Sequence, residues 1–407
     1  MLPATAGQLL RVVGLLALGA WLQHGAAEAQ NAKAEAPIPA ATLALMAAKG
    51  TTASAPVLFR AYKKESEIEV WKKMSGGRFV HIKTFPICRW SGQLGPKRKT
   101  GDRQTPEGFY TVAKSQMNPN SRYYLSFDVG YPNTFDKAHG GTGSAVMVHG
   151  VCSSMGCFAM TDQVVGEIYA IARDALAGGQ AAFQFQSFPF RMSAANMARH
   201  RTDPNIAFWR QLKEGSDRFE ATGEELQVSV QGGRYAFAPS KDSAKENAVA
   251  IRRAAEDARI ATLVDDGAAA VRTTYSDGGQ NPFWAALAQK GVSLGEVSRP
   301  EALAYAGQEV VVIPARRPPP PVPETVWAAW IAPGSGLSFD PVSARFVAAY
   351  ERAPDRFAPA AASYADTLPR LVRVALDAPA TDRNAPPAGL WALAGDPSAP
   401  AGRVAQR

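Results

Sequence analysis

The chain has 407 residues, 46% of them hydrophobic and 20% charged, with a formal net charge of +8 and a pI near 9.4. That length can hold more than one domain, and the hydrophobic share supports a core of ordinary size. The basic balance suits anionic surroundings such as cell-wall polymer or a membrane surface; no nucleic-acid motif is present, and no segment after residue 30 is long and apolar enough to span a bilayer.

The first 29 residues read as a secretory signal peptide. Arg11 precedes an apolar run of 11 residues from Val12 to Leu22, and the small-x-small triplet Ala27-Glu28-Ala29 marks cleavage after Ala29. The alternative is an uncleaved anchor, but the run falls short of the roughly 20 residues a spanning helix needs. The expectation is export to the periplasm, an oxidising compartment in which thiols tend to pair. Three cysteines, Cys88, Cys152 and Cys157, are an odd number. At least one is therefore left over or pairs between chains, and a leftover thiol is a candidate nucleophile.

Residues 30–55 form an Ala-rich N-terminal segment with a short helical pattern in "ATLALMAAKG". Residues 56–190 carry the clearest patterning. "PVLFRAYKKESEIEVWKK" alternates apolar and polar residues on both sides of a Lys-Lys-Glu-Ser turn, which predicts a hairpin. "RFVHIKTFPI" predicts a third strand, and "GDRQTPEGFYTV" a turn running into a fourth, with Pro106 fixing φ in the turn. "SAVMVHG" predicts an apolar strand ending at His149. "TDQVVGEIYAIARDALAGG" predicts a helix capped by Thr161 or Asp162, buried along Val164, Val165, Ile168, Ile171, Ala172 and Ala175, and stopped at Gly178. "AFQFQSFPF" predicts another strand. Residues 191–315 read as an α-rich extension. Within it, Ser243 and Glu246 form a capping box for an Ala-rich helix running toward Tyr275, its apolar stripe weak enough that it either packs on the preceding part or stands as a loose appendage. A polyproline run, "RRPPPPVPE", opens residues 316–407, a Pro/Ala-rich tail expected to be largely disordered and dispensable for chemistry. The fold class is thus α+β, a β-rich mixed sheet with packed helices and a helical, Pro/Ala-rich C-terminal extension.

The densest chemistry lies in "VMVHGVCSSMGCFAM", residues 146–160, which holds one of the five histidines and two of the three cysteines. A cysteine nucleophile needs a base for its proton and backbone N–H donors for the oxyanion that follows attack. His149 ends a strand, a rigid mount. Gly150, Ser153, Ser154 and Gly156 permit a tight turn back that brings Cys157 beside His149, with Gly156 letting backbone approach a substrate closely.

"MVHGVCSSMGCFAMTD" resembles the signature of the L,D-transpeptidase catalytic domain (YkuD-like) family, a histidine-glycine pair on a strand followed by a Ser-x-Gly-Cys turn. "GDRQTPEGFYTV" is similar to the family's upstream Thr-Pro-x-Gly segment, and "FPICRWSGQLGPK", "YPNTFDKAHGGTG" and "GCFAMTD" resemble its YafK-like branch. The resemblance covers about residues 57–190. It implies Cys157 as nucleophile, His149 as base, Gly156 and Cys157 as oxyanion N–H donors, and Ser154 as the residue holding the turn. It also implies an L,D-transpeptidase, or an L,D-hydrolase of diaminopimelate-linked bonds, with peptidoglycan stem peptides as substrate, a wall-attached protein as a second conceivable partner, and no cofactor. Met155 stands where many members have His or Lys, and Ala159 where many have Arg, so the acyl acceptor, amine or water, is left open.

Against that frame, Cys88 and Cys152 are the favoured disulfide partners, which leaves Cys157 free; the rival is a structural half-cystine at Cys157. His139, in the Gly-rich loop "DKAHGGTG", either shapes the site or is a solvated loop histidine. Arg89, Lys97, Arg98, Lys99 and Arg103 either meet a substrate carboxylate or form a solvated face, and His81 is expected to face solvent. Rivals of other classes are a zinc site from His139, His149, Cys152 and Cys157, whose spacing fits no usual zinc pattern, and a non-catalytic wall-binding module. The sequence carries no signal for an oligomeric state.

Overall fold

Alternating segments become strands where every second side chain finds a covered face. The computed structural model describes residues 32–292 and 307–316, with the backbone of residues 339–340 and 345–346. Strands β1 (Val57–Tyr62) and β2 (Glu67–Lys73) form the expected hairpin and β3 (Phe79–Pro86) extends it. Strand β9 (Ala182–Phe188) runs parallel to β1, and β4 (Gly108–Ala113) closes the sheet in the order β3-β2-β1-β9-β4. A second, smaller sheet carries β5 (Met117–Asn118), β6 (Ser126–Asp128), β7 (Met147–His149) and β8 (Phe158–Ala159), in that order. The architecture is α+β with mixed sheets.

Phenylalanines weld the two sheets together. Phe59 of β1 and Phe183 of β9 have ring centroids 5.2 Å apart; Phe127 of β6 stands 5.4 Å from Phe183, and Phe158 of β8 stands 5.1 Å from Phe185. Each such edge-to-face pair adds about 0.5–1.5 kcal/mol beyond its area burial, so the small sheet is rigidly mounted. The short helix α2 (Thr134–Ala138) precedes β7, and helix α3 (Asp162–Ala177) packs onto this core with its predicted stripe, Val164 to Ala175, buried throughout. Thr161 is its cap, accepting the Val164 N–H. The short helix α1 (Ala40–Ala48) is tied on through Thr42 and the buried pair Lys83–Glu167, at 2.8 Å.

Strand β1 is buried at every position, because the other face of the large sheet is covered too. Helices α4 (Ala194–Arg199) and α5 (Ile206–Thr222) come from beyond residue 190, and α5 is what lies there. Arg60, fully buried on β1, donates to Ser216 at 2.8 Å and pairs with Glu220, its guanidinium 4.6 Å from the Phe219 ring. The packed unit therefore extends well past residue 190.

The region read as an α-rich extension also contains strands. β10 (Val228–Gln231) and β11 (Arg234–Phe237) form a hairpin, and β12 (Ala270–Thr274) pairs antiparallel with β13 (Gln308–Ile313). Helix α6 (Ser243–Asp265) departs from expectation at both ends. Its cap is Asp242, which accepts the Ala244 N–H at 2.9 Å, while Glu246 instead pairs with Arg218. It stops ten residues before Tyr275, where the Asp266-Gly267 turn closes it and β12 begins. The weak apolar stripe has a physical reason: α6 buries only Val249 and is held on α5 by ion pairs, Lys213–Glu256 at 2.9 Å and Arg253–Glu214 at 3.1 Å. Helix α7 (Pro282–Gln289) then buries Phe283, Trp284 and Leu287 in the common core.

The signal-peptide reading lies outside the described residues. So does the reading of the tail, except that Phe339–Asp340 (β14) and Arg345–Phe346 (β15) pair antiparallel. No helix among the described residues is long and apolar enough to cross a membrane.

Candidate active site around Cys157

Strands β7 and β8 run parallel with His149 opposite Ala159 and Val148 opposite Phe158. Continued by one residue, this register sets Cys157 opposite Met147, two residues or roughly 7 Å along the strand from His149 and on the same face. The contacts agree: the Met147 N–H points at Cys157 Sγ at 3.4 Å, and Sγ lies 3.8 Å from the Ala145 carbonyl. Cys157 is the free thiol; Cys88 and Cys152 are joined in a disulfide, their Cα atoms 5.4 Å apart.

His149 is buried, and its Nδ1 donates to the Gly150 carbonyl at 2.6 Å. That bond fixes the tautomer and leaves Nε2 as the proton acceptor. Tyr123 lies against the imidazole, ring centroids 4.6 Å apart, and is itself 43% exposed. Burial pushes the imidazole below its ordinary pKa, with the Gly150 carbonyl opposing in part. Burial likewise pushes the Cys157 thiol up; the Met147 N–H and the Lys97 ammonium offset some of this, while Asp128 adds to it. Both shifts favour the uncharged forms, thiol and imidazole.

The turn between them is over-determined. Val151 and Cys152 both have positive φ, 66° and 46°, which costs about 1–3 kcal/mol each. The Val151 N–H donates to the Asp162 carboxylate at 2.8 Å, the Cys152 N–H to the Met160 carbonyl at 3.0 Å, and the Met160 N–H to the His149 carbonyl at 2.7 Å. Gly156, at φ 125°, is a position an L side chain rarely tolerates, and it completes the tight return.

Ser154 holds this return, and it does so with the two amides expected to face the substrate. Its Oγ accepts from Cys157 N–H at 3.0 Å and Gly156 N–H at 3.2 Å, and donates to the Cys157 carbonyl at 2.8 Å. Both amides, the two that the resemblance implies as oxyanion donors, are thus engaged within the turn. The amide aimed at the sulfur is that of Met147.

Several supporting residues were not singled out as site residues by the sequence. Ser91 Oγ lies 3.1 Å from Ser154 Oγ, Thr105 Oγ1 donates to the Cys157 carbonyl at 3.3 Å, and Asp162 holds Val151. Thr105 belongs to the Thr-Pro-Glu-Gly turn, whose Glu107 is buried against Lys63 at 2.9 Å and Trp209 at 2.8 Å. Of the basic run, Arg98, Lys99 and Arg103 are exposed, but Arg89 and Lys97 are buried. Lys97 pairs with Asp102 at 2.5 Å and stands near the turn, about the reach of a side chain from Gly156. His81 is only half-buried and bonds Thr84 at 2.9 Å. His139 is exposed; its hydrogen bond and its close ring contact are both to Phe135, at 2.9 Å and 4.2 Å, rather than to the turn. The disulfide takes Cys152 out of the zinc set, and no group of metal-ligand residues assembles among the described residues.

A strand-borne histidine thus stands on the same face as a free cysteine on a Ser-x-Gly-Cys turn, and the family model of the L,D-transpeptidase catalytic domain (YkuD) matches residues 54–177. Over 180 residues the chain is 44% identical to YafK of Escherichia coli (strain K12), whose name assigns it provisionally to the L,D-transpeptidases; the match covers 44% of this chain and 73% of YafK. The protein of the same name from Escherichia coli O157:H7 matches with the same figures. The chain belongs to the L,D-transpeptidase family. Solved structures resembling it include the helical cell shape determining protein Pgp2 of Campylobacter jejuni (15% identity, TM-score 0.27, covering 58% of this chain and 80% of Pgp2). Bd1075 of Bdellovibrio bacteriovorus also resembles it (16% identity, TM-score 0.25, covering 55% and 75%).

Proposed function

We propose that the chain is an exported, periplasmic cysteine acyltransferase acting on peptidoglycan stem peptides. The observation carrying this reading is the pairing of a free Cys157 with a buried His149 whose Nε2 is left open by the Nδ1–Gly150 bond. Cys157 Sγ attacks the carbonyl carbon of diaminopimelate in a stem peptide as its proton passes to His149 Nε2. The C–N bond breaks, His149 returns the proton to the leaving amine, and a thioester remains. An acceptor amine then attacks the thioester and restores the thiol. The Met147 N–H supports negative charge on sulfur before attack, and Ser154 keeps the turn from collapsing onto the site.

Water in place of the amine gives an L,D-hydrolase, the second reading. It is favoured by Met155, which is 72% exposed where many relatives place a polar residue, and by Ala159, which is buried and offers no charge to a second substrate. The test is to incubate the mature protein with a defined tetrapeptide muropeptide, with and without an acceptor amine, and to weigh the products. Cross-linked or exchanged product is expected; water-derived product alone under saturating acceptor overturns the transferase reading in favour of hydrolysis.

The Tyr123 ring walls one side of the imidazole. Tyr123→Ala is expected to lower kcat about tenfold by letting His149 wander, with the thermal midpoint nearly unchanged. Unaltered kcat would show the ring to be a bystander.

A further inference from the structure

Residues 275–281 lie outside the stretch matched by the family model, and they dock on the segment that buttresses the nucleophile turn. Gly279 and Trp90 exchange both backbone hydrogen bonds, at 3.0 and 3.1 Å, and the Asn281 N–H donates to the Ile87 carbonyl at 3.1 Å. Asn281 Nδ2 reaches back to the Glu65 and Ser66 carbonyls at 3.1 and 3.2 Å. Tyr275 packs edge-on to the buried Trp90 ring at 4.7 Å. The fit leaves no slack: a Cβ at Gly278 would fall 1.9 Å from the Trp90 carbonyl oxygen. At the centre, the Asp277 carboxylate takes Arg89 at 3.1 Å and also Arg103.

Both arginines lead to the turn. The Arg89 backbone exchanges hydrogen bonds with Ala159, two residues beyond the nucleophile, at 3.0 and 2.8 Å. The Arg103 carbonyl lies 2.7 Å from Ser91 Oγ, which lies 3.1 Å from Ser154 Oγ, the atom that gathers the Gly156 and Cys157 amides. The neighbouring Cys88 is covalently joined to Cys152 on the far side of the turn. Segment 87–93 is thus clamped between residues 275–281 and the turn.

We propose that residues 275–281 are a strap that positions the nucleophile turn, with Asp277 as the positioning residue acting through Arg89 and Arg103. This rests on the reading of Cys157 as nucleophile, and it gives the C-terminal region a part in the reaction without touching substrate. Releasing Asp277 loosens the 87–105 segment, lets water reach the thiol, and spoils the alignment of Cys157 with His149.

The test compares full-length wild type with Asp277→Ala and the isosteric Asp277→Asn, alongside Glu309→Gln, which cuts an ion pair with Lys64 and Arg199 elsewhere. Two rates are read well below the thermal midpoint: muropeptide turnover, and bimolecular alkylation of Cys157 by iodoacetamide from pH 6 to 10. Asp277→Ala is expected to cut kcat about tenfold with KM within about twofold, and to raise alkylation at pH 8 about threefold as the thiol's titration moves toward its ordinary range. Asp277→Asn is expected to move both in the same directions but less, Asp277→Glu to recover part of the turnover, and Glu309→Gln to change neither. A purely structural Asp277 would lower the thermal midpoint and leave both rates per folded molecule unchanged, and that result in either variant overturns the proposal. The alkylation arm needs no substrate. If wild type shows no turnover, the functional reading fails while the strap is still judged on thiol reactivity alone.

Discussion

Cys157→Ala is expected to abolish turnover of a tetrapeptide muropeptide, a loss of about a thousandfold or more, while leaving the fold intact. The two halves of that expectation come from different features. Sγ is the only free thiol among the described residues, and its partners are the Met147 N–H and the Ala145 carbonyl, both weak contacts, so removing it costs little stability. On the proposed mechanism, what is lost is the attacking atom. His149→Gln should lower kcat by about a hundredfold to ten-thousandfold, the usual range for a general base. Because burial holds His149 below its ordinary pKa, kcat/KM of wild type should fall only as pH drops through a midpoint below about 6.5, where the imidazole gains its proton. Burial holds the Cys157 thiol up, so alkylation should rise toward a midpoint above about 8.5. A thiol half-ionised near pH 5, as in a resting thiolate–imidazolium pair, would sink this account. So would Cys157→Ala with full activity.

The strand register and the turn were legible because their signals are local. "PVLFRAYKKESEIEVWKK" alternates with period two around a turn, and it folds as β1 and β2. The helix after Cys157 shows its buried stripe and its cap within 16 residues, and the structure follows it. What stayed hidden depends on partners far along the chain. Ser91 looks like any loop serine until Ser154, 63 residues later, is brought to it. Asp277 gains meaning only from Arg89 and Arg103, 188 and 174 residues earlier. Lys97 reads as one of a solvated basic run although its partner Asp102 is near in sequence, because only the fold around the pair buries the ammonium. The amide roles are a different case. Spacing says that Gly156 and Cys157 N–H groups are close to the sulfur, but not which way they point, and Ser154 Oγ lies within hydrogen-bond distance of both.

Reducing or deleting the Cys88–Cys152 bond should have the second-largest effect, this time on stability. The bond closes a loop of 64 residues, so its removal frees the unfolded chain by about 4 kcal/mol on the chain-entropy account, within the usual range for a native disulfide. The measurement is urea unfolding of Cys157→Ala protein, oxidised, against the same protein carrying Cys88→Ser and Cys152→Ser, so that the free thiol cannot reshuffle. A midpoint lower by roughly 2–4 kcal/mol of stability is expected, and coincident curves would refute it. The same bond should matter to turnover beyond stability. Cys152 sits at φ 46° three residues after His149, and its sulfur is anchored to the segment that carries Arg89 and Ser91. With that anchor gone, only Asp162 and the Met160 backbone restrain the left-handed pair Val151–Cys152. At temperatures where both proteins are fully folded, the doubly substituted enzyme with Cys157 restored should therefore show kcat reduced about tenfold. Equal kcat would mean that hydrogen bonds alone hold His149 and Cys157 in register, and that the disulfide serves stability only.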